Sequence, residues 1–306
     1  MVDGNYILET RDLCKSYGNI KVLNNLNMKV PKGSIYGFVG KNGAGKTTLI
    51  RLICGLQYQN SGEILINGVK NTDSKINDVR KKFGAIVETP ALHLNMTARD
   101  NIKLQLDILG CDYHKVDELL DFVGLSDTGN KHAVNFSLGM RQRLAIAIAL
   151  CGEPEFLVLD EPVNGLDPQG ILDMRELIYK INNEKNITIL ISSHILDELA
   201  KVATYYGFIS NGKIIAEMSS GELNNLAKKS MTLTVNKNDG MEDVMEIFEN
   251  EYTLVDDNKV IVYGNIDVTS LILAMHEHNI NVSCVTSKEE SLEEYFFELL
   301  GGVDNA

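Results

Sequence analysis

Eight consecutive residues, Gly40-Lys41-Asn42-Gly43-Ala44-Gly45-Lys46-Thr47, limit what this chain can fold into more than any other stretch. They match the phosphate-loop pattern, in which spaced glycines lead into Lys and then Thr. Such a loop must join a buried strand to a helix, and its flanks agree: residues 34–39 are largely apolar and residues 46–54 are helical in pattern. Glycine lets the backbone curl so that successive N–H groups point inward. The positive end of the helix dipole lies behind them, so an anion is the natural occupant. Lys46 then brings a mobile point charge to the outer phosphates of a nucleotide. The Thr47 hydroxyl can ligate the Mg²⁺ that bridges them, and Thr48 adds a further hydrogen bond. The competing reading is a glycine-rich turn with no ligand.

A second element favours the ligand. Phe156-Leu157-Val158-Leu159-Asp160-Glu161 reads as a buried strand that ends in two carboxylates. Central strands of a parallel sheet are apolar on both faces, so charges belong at the end, where open α/β sheets bind ligands. An ordinary strand end before a turn at Pro162 is the alternative.

Short apolar runs alternate with helical patterns, as in an α/β domain with a largely parallel sheet. Strands are expected at 34–39, 84–87, 156–159 and 187–192, and helices at 46–54, 97–109, 139–150, 168–182 and 195–203. Residues 6–13 and 21–30 read as strands of an antiparallel layer. After a polar stretch the pattern restarts: strand 231–236, helix 241–251, strands 253–255 and 259–263, helix 267–279, strand 281–286, and a final helix 292–300. That β-α-β-β-α-β order suggests a small ferredoxin-like unit. The expected organisation is therefore a large domain over residues 5–220, a linker at 221–230 and a small accessory α+β domain at 231–306.

Composition narrows the class. The chain has 306 residues, 44% hydrophobic and 23% charged, which is ordinary for a globular protein with a sizeable core. No stretch approaches the roughly 20 apolar residues of a membrane span, and Asp3, Glu9 and Asp12 stand where a signal peptide would carry basic and then apolar residues. A cytoplasmic protein is expected. Five scattered cysteines without a Cys-x-x-Cys pair suggest buried, reduced thiols. The net charge of −13 is concentrated at the end, with 5 Lys and Arg against 17 Asp and Glu from Glu222 onward, compared with 24 against 25 before it. An acidic tail repels phosphate backbones, so no nucleic-acid partner is expected.

With its phosphate loop, its carboxylate strand and the stretch Phe136-Ser137-Leu138-Gly139-Met140-Arg141-Gln142-Arg143 between them, the chain resembles the nucleotide-binding subunits of ABC transporters over about residues 5–220. The resemblance implies a P-loop NTPase fold with an antiparallel β layer and a helical subdomain, ATP and Mg²⁺ as ligands, and ATP hydrolysis. The Ser137 stretch is similar to the family signature, commonly Leu-Ser-Gly-Gly-Gln, which completes the ATP site of a second copy. Ser137 and the N–H of Gly139 would then face a nucleotide in a homodimer; read alone, Ser137 is a helix N-cap. The same likeness gives Tyr17 to the adenine, Asp160 to Mg²⁺ through water, Glu161 to the attacking water, His194 to the γ-phosphate and Asp167 to the loop that communicates across the dimer. The bland reading of Tyr17 and His194 is packing, and that of Asp167 is a turn before Pro168.

One departure stands out. Where most members carry a metal-sensing glutamine, this chain has Glu88 in Ala85-Ile86-Val87-Glu88-Thr89-Pro90. A carboxylate there would ligate Mg²⁺ more tightly than an amide or pair with a basic group of a partner; a surface strand end is the rival reading. This glutamate and the Ser-Leu-Gly-Met-Arg-Gln-Arg signature look like the lantibiotic-immunity and bacitracin-export subfamilies. The implied function is to power export of, or immunity to, a peptide antibiotic through separate membrane permease subunits. The ATPase would then be peripheral on the inner face of the membrane, with residues 97–111 as a docking area. The alternatives are an exporter of another substrate, or a soluble ABC ATPase acting on ribosomes or DNA. Members of that soluble class usually carry two nucleotide domains or a long coiled-coil insertion, and neither is seen here. A non-hydrolysing regulator is the third class.

Overall fold

Strands covered by helices on both faces have no position at which a polar side chain reaches water. The strands Ile35–Val39, Phe156–Asp160 and Thr188–Ser193 are accordingly buried at every residue. In the computed structural model, which describes residues 5–226, 229–237, 240–248, 250–264 and 266–289, they form the centre of a six-stranded sheet. Its order is Lys213–Ser219, Tyr205–Ser210, Ile35–Val39, Thr188–Ser193, Phe156–Asp160, Phe83–Ile86. All neighbours are parallel except the first pair. Parallel pairing brings the carboxyl ends of four strands to one edge, and those ends lead into Gly40, Glu161, His194 and Glu88.

A second, antiparallel sheet runs Ile20–Pro31, Tyr6–Tyr17, Ser61–Ile66, Val69–Lys70. Asp12 and Asn25 adopt left-handed backbone where the pairing of its first two strands shifts register. The helix Lys46–Ile53 lies in the core shared by the two sheets. Its Leu49, Ile50, Leu52 and Ile53 pack in one buried cluster with Leu8, Leu26, Phe38 and Val158. Burying each such side chain contributes about 1.5–3 kcal/mol, so the helix behind the phosphate loop is anchored from both sides. The helices Ala98–Leu109, Lys115–Phe122 and Leu138–Leu150 pack on one another, and Pro168–Lys185 packs against the last of these.

The chain divides at Ser220/Gly221 into two compact units. The second has its own core of Leu233, Val244, Val260, Leu271 and Met275. Its elements follow the order strand Lys229–Val235, helix Met241–Phe248, strands Tyr252–Asp256 and Lys259–Tyr263, helix Val268–Glu277, strand Val282–Glu289. The first of these strands lies centrally, between Lys259–Tyr263 and Val282–Glu289, and every pair is antiparallel. Two α-β crossovers are thus split by a central strand.

The structure differs from the sequence reading in several places. The polar stretch read as a linker holds a helix, Ser220–Leu226. The strands Ser61–Ile66, Tyr205–Ser210 and Lys213–Ser219 and the helix Lys115–Phe122 were not anticipated. The helix expected at 195–203 is the single turn Leu196–Leu199. Cys284 is exposed, so buried thiols describe only some of the cysteines. The helix expected at 292–300 lies outside the described residues.

One half-buried polar pair ties the central strand to the sheet edge: the Tyr36 hydroxyl donates to Glu217 Oε1 at 2.6 Å, and the Lys29 N–H donates to the same oxygen at 2.9 Å. Burial raises the Glu217 carboxyl above its ordinary value. A raised carboxyl adds most to stability at acid pH and loses that contribution as pH rises through its folded value. Glu217→Gln keeps an oxygen for both donors and does not ionise. We expect its melting temperature to match the parent's near about pH 4, below the ordinary carboxyl value, and to exceed it near about pH 8; thermal melts across that range check this.

Candidate nucleotide site

The loop after Ile35–Val39 closes through its own backbone. Gly45 is left-handed at φ 111°, and a Cβ there would lie 2.8 Å from Leu23 Cδ2. Gly40 is glycine for a different reason, since its Cβ would sit 2.5 Å from Ile209 Cγ2. No side chain caps the helix Lys46–Ile53, which leaves its first N–H groups available to an anion.

Lys46 is only 6% exposed. Its ammonium donates to Gly40 O at 2.7 Å and more weakly to Lys41 O at 3.4 Å, and it stands 3.4 Å from Glu161 Oε1. The other carboxylate oxygen of Glu161 lies 2.7 Å from His194 Nδ1. Glu161 is left-handed at φ 50°, a conformation that costs a non-glycine residue about 1 kcal/mol or more and that clusters at functional sites. Asp160 is 3% exposed and accepts the Ser192 hydroxyl at 2.5 Å.

A cavity of about 610 Å³ is lined by Asn42, Gly43, Gly45, Lys46, Thr47, Thr48, Glu161 and His194, with Val22 and Asn164 added by the structure. Gly40, Lys41 and Ala44 shape the loop beneath it, Lys41 and Ala44 through the Ala44 N–H bond to Lys41 O. The donors suit a nucleoside triphosphate: backbone amides and one lysine for phosphate, a carboxylate held between Lys46 and His194 for water, and an imidazole beside it. Mg²⁺ fits as well. The Thr47 hydroxyl and the Asp160 carboxylate are hard oxygen donors, and among the described residues no cluster of three His, Cys, Asp or Glu forms a cage. That is the sparse protein shell this ion takes when phosphates and water complete it. Bound there, Mg²⁺ supplies positive charge to the outer phosphates.

Ser137, Gly139 and Asp167 meet elsewhere. They line a separate cavity of about 380 Å³ together with Arg143 and Asp173. Ser137 is the N-cap of Leu138–Leu150, accepting from the Met140 N–H at 3.3 Å, and Asp167 is that of Pro168–Lys185, accepting from the Gly170 N–H at 3.0 Å. Tyr17, 41% exposed at the end of its strand, bonds to the Gln57 side chain and carries Lys15 over its ring. It is not part of the loop cavity's lining. Glu88 is left-handed at φ 61° and forms an ion pair with Arg51 on the loop helix. Glu88 therefore has a basic partner within its own chain. Sequence reasoning missed Arg51, Asn164, Val22 and Ser192. Only Ser192 left a signal, a hydroxyl that follows the apolar run Ile189-Leu190-Ile191 in a strand buried at every residue.

The sequence pattern of the family described as ABC transporter matches residues 23–164. The chain is 41% identical over 302 residues to the bacitracin transport ATP-binding protein BcrA of Bacillus licheniformis, covering 97% of this chain and 98% of that one. It is 41% identical over 245 residues to the lantibiotic transport ATP-binding protein SrtF of Streptococcus pyogenes, covering 80% and 97%. Among solved structures it resembles cbiO1 of Clostridium perfringens, part of the ABC transporter complex cbiONQ, with TM-score 0.66, 27% identity and 72% and 90% of the chains covered. It also resembles the ADP conformation of MJ1267, an ATP-binding cassette of an ABC transporter, with TM-score 0.64, 26% identity and 71% and 92% covered.

Two substitutions separate binding from chemistry at this site. Lys46→Ala should weaken ATP binding about ten- to hundredfold, the value of a charged hydrogen bond, as read by equilibrium titration. Glu161→Gln should leave binding near parental and lower kcat about 10²- to 10⁴-fold; a parental turnover would remove Glu161 from the reaction.

Proposed function

Because this chain belongs to the ATP-binding proteins of ABC transporters, we propose that it hydrolyses ATP to drive export of, or immunity to, a peptide antibiotic of the bacitracin or lantibiotic type. The observation that carries the cargo class is similarity to BcrA along 97% of the chain, which takes in the acidic second unit as well as the ATP-binding one. Glu88 in the position usually held by glutamine supports the same reading.

The work requires partners. The two cavities share no lining residue, so a nucleotide held by the phosphate loop reaches a Ser137–Asp167 surface through a second copy. The reading is therefore a homodimer closed over two ATP molecules. Among the described residues no helix is long and apolar enough to cross a membrane, so separate permease subunits supply the channel, and this subunit sits on them at the cytoplasmic face. A groove of about 520 Å³ beside Glu88 suits such docking: Phe83, Pro90, Gln105 and Leu109 line it, and Leu56, 63% exposed, forms its lip. Mg²⁺ accompanies ATP through Thr47 and Asp160.

Deleting the gene in its host should lower the minimal inhibitory concentration of bacitracin or of a lantibiotic, and the parental gene should restore it where the Glu161→Gln form does not. Unchanged susceptibility to both peptide classes contradicts the cargo assignment. Co-sedimentation with ribosomes, in place of co-purification with a membrane protein in detergent, contradicts the transport reading.

A further inference from the structure

We propose that Ser192 is a positioning residue for the reaction, holding the metal-side carboxylate of Asp160 and the backbone of Glu161 in one geometry. The inference rests on the proposed metal role of Asp160. Ser192 is fully buried on the strand Thr188–Ser193, and the parallel register sets it directly beside Asp160. Its hydroxyl is used twice. The O–H donates to Asp160 Oδ1 at 2.5 Å, and the oxygen accepts the Glu161 N–H at 2.9 Å. One side chain on a neighbouring strand thus bonds to two consecutive residues that the site uses for different purposes.

Both bonds act where the geometry is unusual. The first fixes which oxygen of Asp160 is occupied inside the protein, so the carboxylate is oriented before any ligand arrives. The second satisfies the N–H of a residue in left-handed conformation, at φ 50°, just where the chain leaves the sheet. That conformation aims the Glu161 side chain between Lys46 and His194. Replacing the hydroxyl by hydrogen leaves the Glu161 N–H without its acceptor and lets the Asp160 carboxylate turn. Groups that hold a metal ligand in place typically alter metal affinity or activity by about 10- to 100-fold when removed. Ser192 does not itself line the cavity and meets it only through the Glu161 backbone, so the effect should fall on the metal and on turnover, leaving nucleotide binding itself intact.

The test is calorimetric titration with AMP-PNP in Mg²⁺ and in EDTA, alongside steady-state ATPase assays. Ser192→Ala should bind AMP-PNP in EDTA as the parent does. The gain in affinity on adding Mg²⁺ should shrink about tenfold or more, and kcat should fall by a similar factor. Ser192→Thr, which restores the hydroxyl, should recover both. Should the Ala variant not fold, Ser192→Cys, close in volume but a weak donor, carries the same expectation. A parental Mg²⁺ gain and kcat in the Ala or Cys variant overturns the proposal, as does an equal loss of AMP-PNP affinity with and without Mg²⁺, which would mark a purely structural role. Asp160→Asn separates the two levels: if it loses the Mg²⁺ gain while Ser192→Ala keeps it, only the role of Ser192 falls. If the parent shows no gain at all, the metal reading of Asp160 falls with it.

Discussion

A lysine ammonium that is 6% exposed has to be compensated where it stands, because taking a charge out of water costs several kcal/mol. Lys46 is compensated by two carbonyls of its own loop and by Glu161, which arrives from another strand. That arrangement depends on the parallel sheet. Only because Ile35–Val39, Phe156–Asp160 and Thr188–Ser193 run in the same direction do the loop, the two carboxylates and His194 emerge along one edge. A triphosphate offers the same ammonium a stronger partner, so the site is built around a positive charge whose best counter-ion comes from outside.

The two-sheet core explains why the loop can be rigid while its residues are small. The helix Lys46–Ile53 is clamped by apolar side chains from both sheets. Gly40 and Gly45 are pressed against Ile209 and Leu23 so closely that a Cβ would collide. The phosphate-facing amides are therefore held by packing beneath them. The second cavity is organised by different means, two helix N-caps with Arg143 and Asp173 beside them.

Much of this was legible in the sequence wherever physics acts locally. Central strands announce themselves as unbroken apolar runs, and the glycine-lysine-threonine spacing marks the loop without reference to anything distant. In the second unit the β-α-β-β-α-β order follows from alternating patterns alone. Segments in which polar residues or glycine interrupt the pattern were missed, as in Tyr205–Ser210 with its Gly207, and in Ser220–Leu226, whose Asn and Ser composition reads as a linker. Contacts set by tertiary register were also invisible: Arg51 meets Glu88 across 37 positions, and Ser192 meets Asp160 across 32. Nothing near Glu88 in sequence signals that its counter-ion sits on the loop helix.

The central claim is that inward-pointing loop amides and Lys46 bind a triphosphate. Isothermal titration of the purified full-length chain with ATP and Mg²⁺ tests it most directly. Saturable binding of one nucleotide per chain, much weaker for adenosine than for ATP, is the predicted result. Absence of measurable heat and affinity, or equal affinity for adenosine and ATP, would contradict it.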